Sequence, residues 1–319
     1  MRILMTIFLA IPLCFAWSTV SQAEDCTEGQ RLFQQAKEKQ KTTPATERVQ
    51  WLKKAVSLCT DTRIDYELGR TYLEMDQAQE ALVAFKQAQA KAGDSTKVQY
   101  MILGRMAEAY FKQNPKDIVN ALAYSDRAMA LAKSVGESPS WLVDLRKTID
   151  KDEARQHITG EQINRGFSTS RALPGPRLAG KDFDPRPKQD LYILFDYDKD
   201  QPNSQGQSID ALGQALTAQT KDFDPQARPT PSPSPTPSRS SIQIIGHTDK
   251  QGEDKKGSAY NDNLSIRRAR SVVGLLVQKY PALQGRLKAE GKGSHEPRYQ
   301  GEGEEIYRLN RRIEVVLPQ

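Results

Sequence analysis

Residues 243–269 read QIIGHTDKQGEDKKGSAYNDNLSIRRA. The apolar, β-branched run from Ile242 to Ile245 is interrupted only by Gln243, so it reads as a strand. It ends in Gly246-His247-Thr248-Asp249, a polar loop follows, and a helix opens near Tyr260-Asn261. Over 260–279 the apolar residues Ala269, Val272, Val273, Leu276 and Tyr280 fall at helical spacing and form one stripe. Asn261, Ser265 and Arg268 are spaced four, then three, which places them on one line along the margin of that stripe. An arginine there is partly desolvated, and its planar fork suits a carboxylate. Asp249 lies just past the strand end, where the chain turns back toward the helix. Such a pair is either a structural ion pair or a grip on the ammonium and carboxylate of one ligand, and chemistry alone leaves both open.

The surrounding residues 190–319 alternate strand and helix. Leu191, Ile193 and Phe195 alternate with Tyr192, Leu194 and Asp196 as a strand, and Ser208 to Thr220 is a helix. Residues 225–239, PQARPTPSPSPTPSR, are an extended, exposed proline-rich insert. After the 242–246 strand and the 260–279 helix come a short strand near 287–289, Gly291-Lys292-Gly293, and a last strand carrying Ile313, Val315 and Leu317. The order β-α-β-α-β-β predicts an α+β domain, a small sheet with helices on one face.

Residues 24–156 read as helix throughout, with breaks at Thr-Pro, Gly-Asp and Asn-Pro. The helices fall near 27–40, 45–59, 62–75, 78–92, 96–113, 116–134 and 139–155. Residues 157–189 read as a linker rich in Ser, Pro and Gly, with a short helix at its start. Positions 1–23 read as an export signal, with Arg2 before an apolar stretch and Ser21-Gln22-Ala23 at the exit, so cleavage is expected after Ala23. An uncleaved anchor is the alternative. No other segment is apolar enough to span a membrane as a helix.

The 319-residue chain has 46 basic and 40 acidic residues, a formal charge of +6, and 37% hydrophobic residues. The charges are interleaved, with no long basic run, which argues against a nucleic-acid partner. Without the signal, Cys26 and Cys59 remain. They stand at opposite ends of the first helical hairpin, where antiparallel packing joins them, so a disulfide is expected. Two mature cysteines and three histidines supply no Zn site. His247-x-Asp249 lacks a third metal ligand, no nucleophile elbow exists, and no cofactor is implied. The chain is read as non-enzymatic.

Two resemblances refine this reading. Leu68, Gly69, Tyr72, Ala81, Phe85 and Ala88 resemble the tetratricopeptide repeat; Ala107, Tyr110, Ala121 and Ala128 resemble it with an insertion, and the first hairpin is degenerate. The resemblance implies a surface for a protein partner. From about Gln189 to Leu317 the chain resembles the OmpA-like peptidoglycan-binding domain. The residues that carry the resemblance are Phe195-Asp196-Tyr197-Asp198, Gly246-His247-Thr248-Asp249 with Gly252, Tyr260-Asn261 with Leu264-Ser265 and Arg267-Arg268-Ala269, Gly291, Gly293, Pro297, and Asn310-Arg311-Arg312-Ile313. That family implies that Asp249 and Arg268 bind the ammonium and carboxylate of diaminopimelate in the wall peptide, with Asn261, Thr248 and Ser265 assisting. It also implies a wall-associated, periplasmic protein, peripheral to the outer membrane. A scaffold or regulator of wall-synthesis or outer-membrane assembly machinery, with a merely structural Asp–Arg pair, is the alternative. The chain departs from the family in a longer loop at 253–257, in the proline-rich insert, and in Ser294, where relatives often carry an acid.

Overall fold

The computed structural model describes residues 17–152, 158–173, 186–191, 193, 195, 198–202, 206–222, 241–251, 253 and 257–318. Residues 1–16 of the expected signal, the proline-rich insert and most of the 253–257 loop lie outside the described residues. The chain forms two compact units, one running to Gly93 and the other from Asp94 to the end.

The first unit holds α1 (Trp17–Glu38), α2 (Ala45–Leu58), α3 (Thr62–Glu74) and α4 (Ala78–Lys91). They pair as α1 with α2 and α3 with α4, consistent with tetratricopeptide-like hairpins. Asp61 starts α3 by accepting from the Arg63 N–H, which satisfies one of the free amides of the first turn. Leu52, Ala55, Ile64, Ala81, Phe85 and Ala88 are buried. Gly69 is required by packing: a Cβ there would come within 2.5 Å of the Phe85 ring, so its absence lets α3 and α4 approach. Cys26 and Cys59 form the expected disulfide, with Cα atoms 4.5 Å apart.

The second unit begins with α5 (Thr96–Lys112), α6 (Ile118–Ser134) and α7 (Ser140–Lys151). Helix α8 (Gly160–Ala172) follows, opened by a capping box between Thr159 and Gln162. Part of the expected 157–189 linker is therefore a packed helix. Ile163 and Phe167 of α8 enter the core, Thr169 bonds Asn120 at 2.8 Å, and Arg127 reaches the Ser170 carbonyl at 3.0 Å. Then come β1 (Lys188–Leu191), α9 (Gly206–Asp222), β2 (Ile242–Gly246), α10 (Ser258–Lys279), β3 (Leu287–Gly291), α11 (Glu304–Asn310) and β4 (Ile313–Val316).

The sheet order is β1-β4-β2-β3, with β2 and β3 parallel and the other pairs antiparallel. This is the expected α+β architecture with two differences. Helix α11 intervenes between the last two strands, and β1 stops at Leu191, leaving Phe195 in an isolated bridge to Pro202. Period-two alternation sends Ile242, Ile244, Ile313 and Val315 to one face, where they meet Leu212, Leu216, Ala269, Val272 and Leu276.

Asp190 leaves that face and enters a polar cluster with α6 and α7. Arg146 bonds Asp150 and reaches Asp126 at 3.1 Å. Arg298 bonds Asp190 and reaches Asp126 at 2.5 Å. Arg312 reaches Asp190 at 3.3 Å, and the Tyr299 hydroxyl donates to Asp150 at 2.6 Å. Three aspartates thus face three arginines, and the third helical hairpin and α7 are joined to the sheet domain. The two arginines beside Asp126 overcome its burial and hold its carboxyl well below the usual range.

Candidate functional site

The β2–α10 turn is positioned by close backbone approach. A Cβ on Gly246 would lie 2.2 Å from the Ser265 carbonyl oxygen, and one on Gly291 would lie 2.5 Å from the Ser265 hydroxyl. The absence of side chains at the ends of β2 and β3 therefore lets α10 sit directly on the sheet. The Thr248 N–H donates to the Gly293 carbonyl at 2.9 Å and His247 N–H to that of Arg312 at 3.0 Å. These bonds tie the turn to the glycine loop and to β4.

Asp249, Thr248, Asn261 and Arg268 line one cleft, together with Asp198, Gln251, Tyr260, Leu264 and Arg311. All four expected residues are buried. Asn261 and Arg268 thus sit deeper than the margin of the apolar stripe. Asn261 donates to the Asp249 carbonyl at 2.9 Å, fixing the turn. Arg268 lies over the Phe195 ring, 4.9 Å from its centroid, and its Nε–H donates to the Lys199 carbonyl at 2.9 Å. Burial, with Arg311 nearby, lowers the Arg268 pKa to about 10. Asp249, Asp198 and Asp200 nearby pull the other way, and the planar guanidinium fork suits an incoming carboxylate.

Asp249 does not bond Arg268. Its Oδ2 accepts from Arg311 Nη1 at 2.7 Å, and its Oδ1 from the Gln251 N–H at 2.7 Å. Arg311, read from sequence only as part of a closing motif, is therefore the cation that orients the aspartate. The Thr248 hydroxyl is buried and has no hydrogen-bond partner among the described residues. Ser265 is not in the cleft lining. Its hydroxyl accepts from the Gly293 N–H at 3.0 Å and donates to the Asp262 carbonyl at 2.8 Å, so it anchors the glycine loop.

Glu253, in the longer loop expected beside the pocket, also reaches the site. Its Oε1 accepts from Asn261 Nδ2 at 3.2 Å and from the Ser294 hydroxyl. Glu253 thus brings a carboxylate from the longer loop against Ser294 of the glycine loop.

Residues 217–311 match the OmpA family. Outer membrane protein A of Shimwellia blattae is 35% identical over 106 residues, covering 33% of this chain and 35% of that protein. Outer membrane porin F of Pseudomonas aeruginosa is 38% identical over 78 residues, covering 24% of this chain and 21% of that protein. The chain thus spans about a third or less of those relatives' own length. A crystal structure of a MotB-like protein from Desulfovibrio vulgaris aligns at 20% identity with a TM-score of 0.32, over 52% of this chain and 93% of that one. Among the described residues no helix is long and apolar enough to cross a membrane.

Proposed function

We propose that this is a non-catalytic envelope protein that binds peptidoglycan through its C-terminal domain. Its cleft takes the zwitterionic end of diaminopimelate, with Asp249 facing the ammonium and Arg268 the carboxylate. One observation carries this reading: both charges line one cleft without bonding each other, beside an unspent Thr248 hydroxyl. The OmpA-family match over 217–311 supports it. Asn261 holds the turn that presents Asp249, and Ser265 holds the loop behind it. The helical hairpins present a surface to an envelope protein partner, and the export signal places the protein in the periplasm against the wall.

Each charge-assisted contact contributes about 1.5–3 kcal/mol. Two of them give roughly millimolar to sub-millimolar affinity. A wall repeats its ligand, so rebinding and avidity retain a protein that single sites hold weakly.

A second reading, a scaffold with a purely structural aspartate, draws on the Asp249–Arg311 bond. Sedimentation with purified sacculi separates the two. Asp249→Ala and Arg268→Ala are each expected to lose most retention while keeping the wild-type circular dichroism. Full retention of both variants would sink the receptor reading.

A further inference from the structure

The cleft does not end at Asp249. A neighbouring depression shares Thr248 and Asp249 with it and continues past Lys250, Ser294 and Pro297. A third shares Lys250, Ser294 and Pro297 with the second and adds Glu253, Ser258 and His295. The three form one furrow across the turn and the glycine loop. At its outer end two opposite charges stand on a single turn, closed by the Glu253 N–H to the Lys250 carbonyl at 3.2 Å.

The Lys250 side chain is exposed and makes no hydrogen bond or ion pair among the described residues. Glu253 is half-buried. Its Oε1 is taken by Asn261 and Ser294, while its Oε2 has no bond among the described residues. A carboxylate has about four lone-pair sites, so acceptor capacity remains on Glu253. The unpartnered Thr248 hydroxyl lies where the inner cleft and the furrow meet. Its position marks a path for a ligand longer than one amino-acid head group.

We propose that this furrow is a second subsite that reads the peptide arm attached to the anchored diamino acid. Glu253 accepts from a peptide N–H of that arm, and the Lys250 ammonium binds its free carboxylate. The inference rests on the receptor reading of the inner cleft. A diamino acid built into a wall peptide continues from its other end as amide groups and a terminal carboxylate. The acceptor and the cation at the outer end of the furrow supply a partner for each of these groups. Because Glu253 comes from the longer loop, the outer subsite is a property of this chain rather than of the shared strand–turn–helix.

The test is calorimetric titration of the full chain with two probes, free meso-diaminopimelate and the wall tetrapeptide that contains it. The variants are Lys250→Gln, the double variant Lys250→Gln/Glu253→Gln, and Asp249→Ala. The unchanged protein is expected to bind the tetrapeptide more tightly than the free diamino acid. Lys250→Gln lowers tetrapeptide affinity about threefold while holding the free diamino acid within about twofold, and the double variant lowers tetrapeptide affinity about tenfold. Asp249→Ala loses both ligands. A double variant that binds tetrapeptide as tightly as wild type overturns the subsite. So does equal weakening of both ligands, which would show Glu253 acting only through Asn261 on the inner cleft. Failure of both ligands to bind the unchanged protein overturns the receptor reading, and this inference with it.

Discussion

His247 sits in the signature turn yet points away from the cleft. Its Nε2 lies 3.2 Å from the Glu314 carboxylate, and its Nδ1 is buried without a partner. The Nε2–H tautomer is the one that donates to Glu314, and burial holds the ring pKa below its ordinary 6.5 against the pull of that carboxylate. Burial of Glu314 acts to raise its pKa, but the His247 hydrogen bond and Lys188 outweigh it and hold it at about 2. Both shifts favour the folded state at neutral pH. Below about pH 6.5 the unfolded chain protonates His247 while the folded chain resists, so stability falls. From pH 4.5 toward 2 the unfolded chain also protonates Glu314 first, and stability falls further. Urea unfolding at pH 7.5, 6.5 and 5.5 is expected to show this loss, and His247→Gln to flatten it. An unchanged slope in that variant would contradict the assignment. The residue scale also shows where reading the sequence stopped. Spacing across one strand–turn–helix brings Asp249, Asn261 and Arg268 together, while their reading as a ligand site, with Thr248, came from the family resemblance. Arg311, the cation that bonds Asp249, is 62 positions away, and no local periodicity encodes such a pairing.

At the scale of elements, the β2–turn–α10 unit was legible because the apolar run ends at Gly246 and the 3.6-residue pattern begins near Tyr260, two residues inside the observed helix. Helix α11 was not, since Gly301-Glu302-Gly303-Glu304 reads as a polar loop and its seven residues are too few for a stripe. Its Ile306 and Leu309 are buried with Tyr299 against Val143 of α7, a contact made by tertiary structure alone. The polar cluster between α6, α7 and the sheet was hidden for the same reason, because Arg298, Tyr299 and Arg312 reach its aspartates across more than a hundred positions. Removing one partner from a buried ion pair costs about 3–5 kcal/mol, since the remaining charge stays buried and uncompensated. Arg146 keeps Asp126, so Asp150→Ala, which also strands the Tyr299 hydroxyl, is expected to lower urea-unfolding stability toward the low end of that range, about 3 kcal/mol. A milder result, below about 1 kcal/mol, would mean that the cluster is hydrated and does not hold α7 to the sheet. Wall retention should fall in the same variant, because Tyr299, whose hydroxyl bonds Asp150, lines the furrow beside Pro297.

At the scale of the whole molecule, the division after Gly93 assigns α5 to α8 to the same compact unit as the sheet. The helical repeats read from sequence as one block are therefore shared between two units. Repeat spacing records only each hairpin's own packing, so it carries no mark of the sheet domain that α6 and α7 meet. The disulfide belongs wholly to the first unit and closes a loop with a sequence separation of 33. In the chain-entropy account, a loop of that length removes about 3–4 kcal/mol of unfolded-state freedom. Cys26 lies within α1, in the hairpin with the poorest repeat match. Replacing both cysteines by serine should therefore weaken the first unit selectively. In a thermal melt the transition assigned to residues up to Gly93 should move down by roughly 12–30 °C, which is what 3–4 kcal/mol implies for a domain of that size. The transition of the remaining residues should stay in place. Sacculus retention should also stay at the wild-type level, because Asp249, Arg268 and the elements that hold them lie in the other unit. Loss of retention in the serine variant, with the second transition unmoved, would place wall binding under the control of the first unit and refute the separation of roles argued for the two.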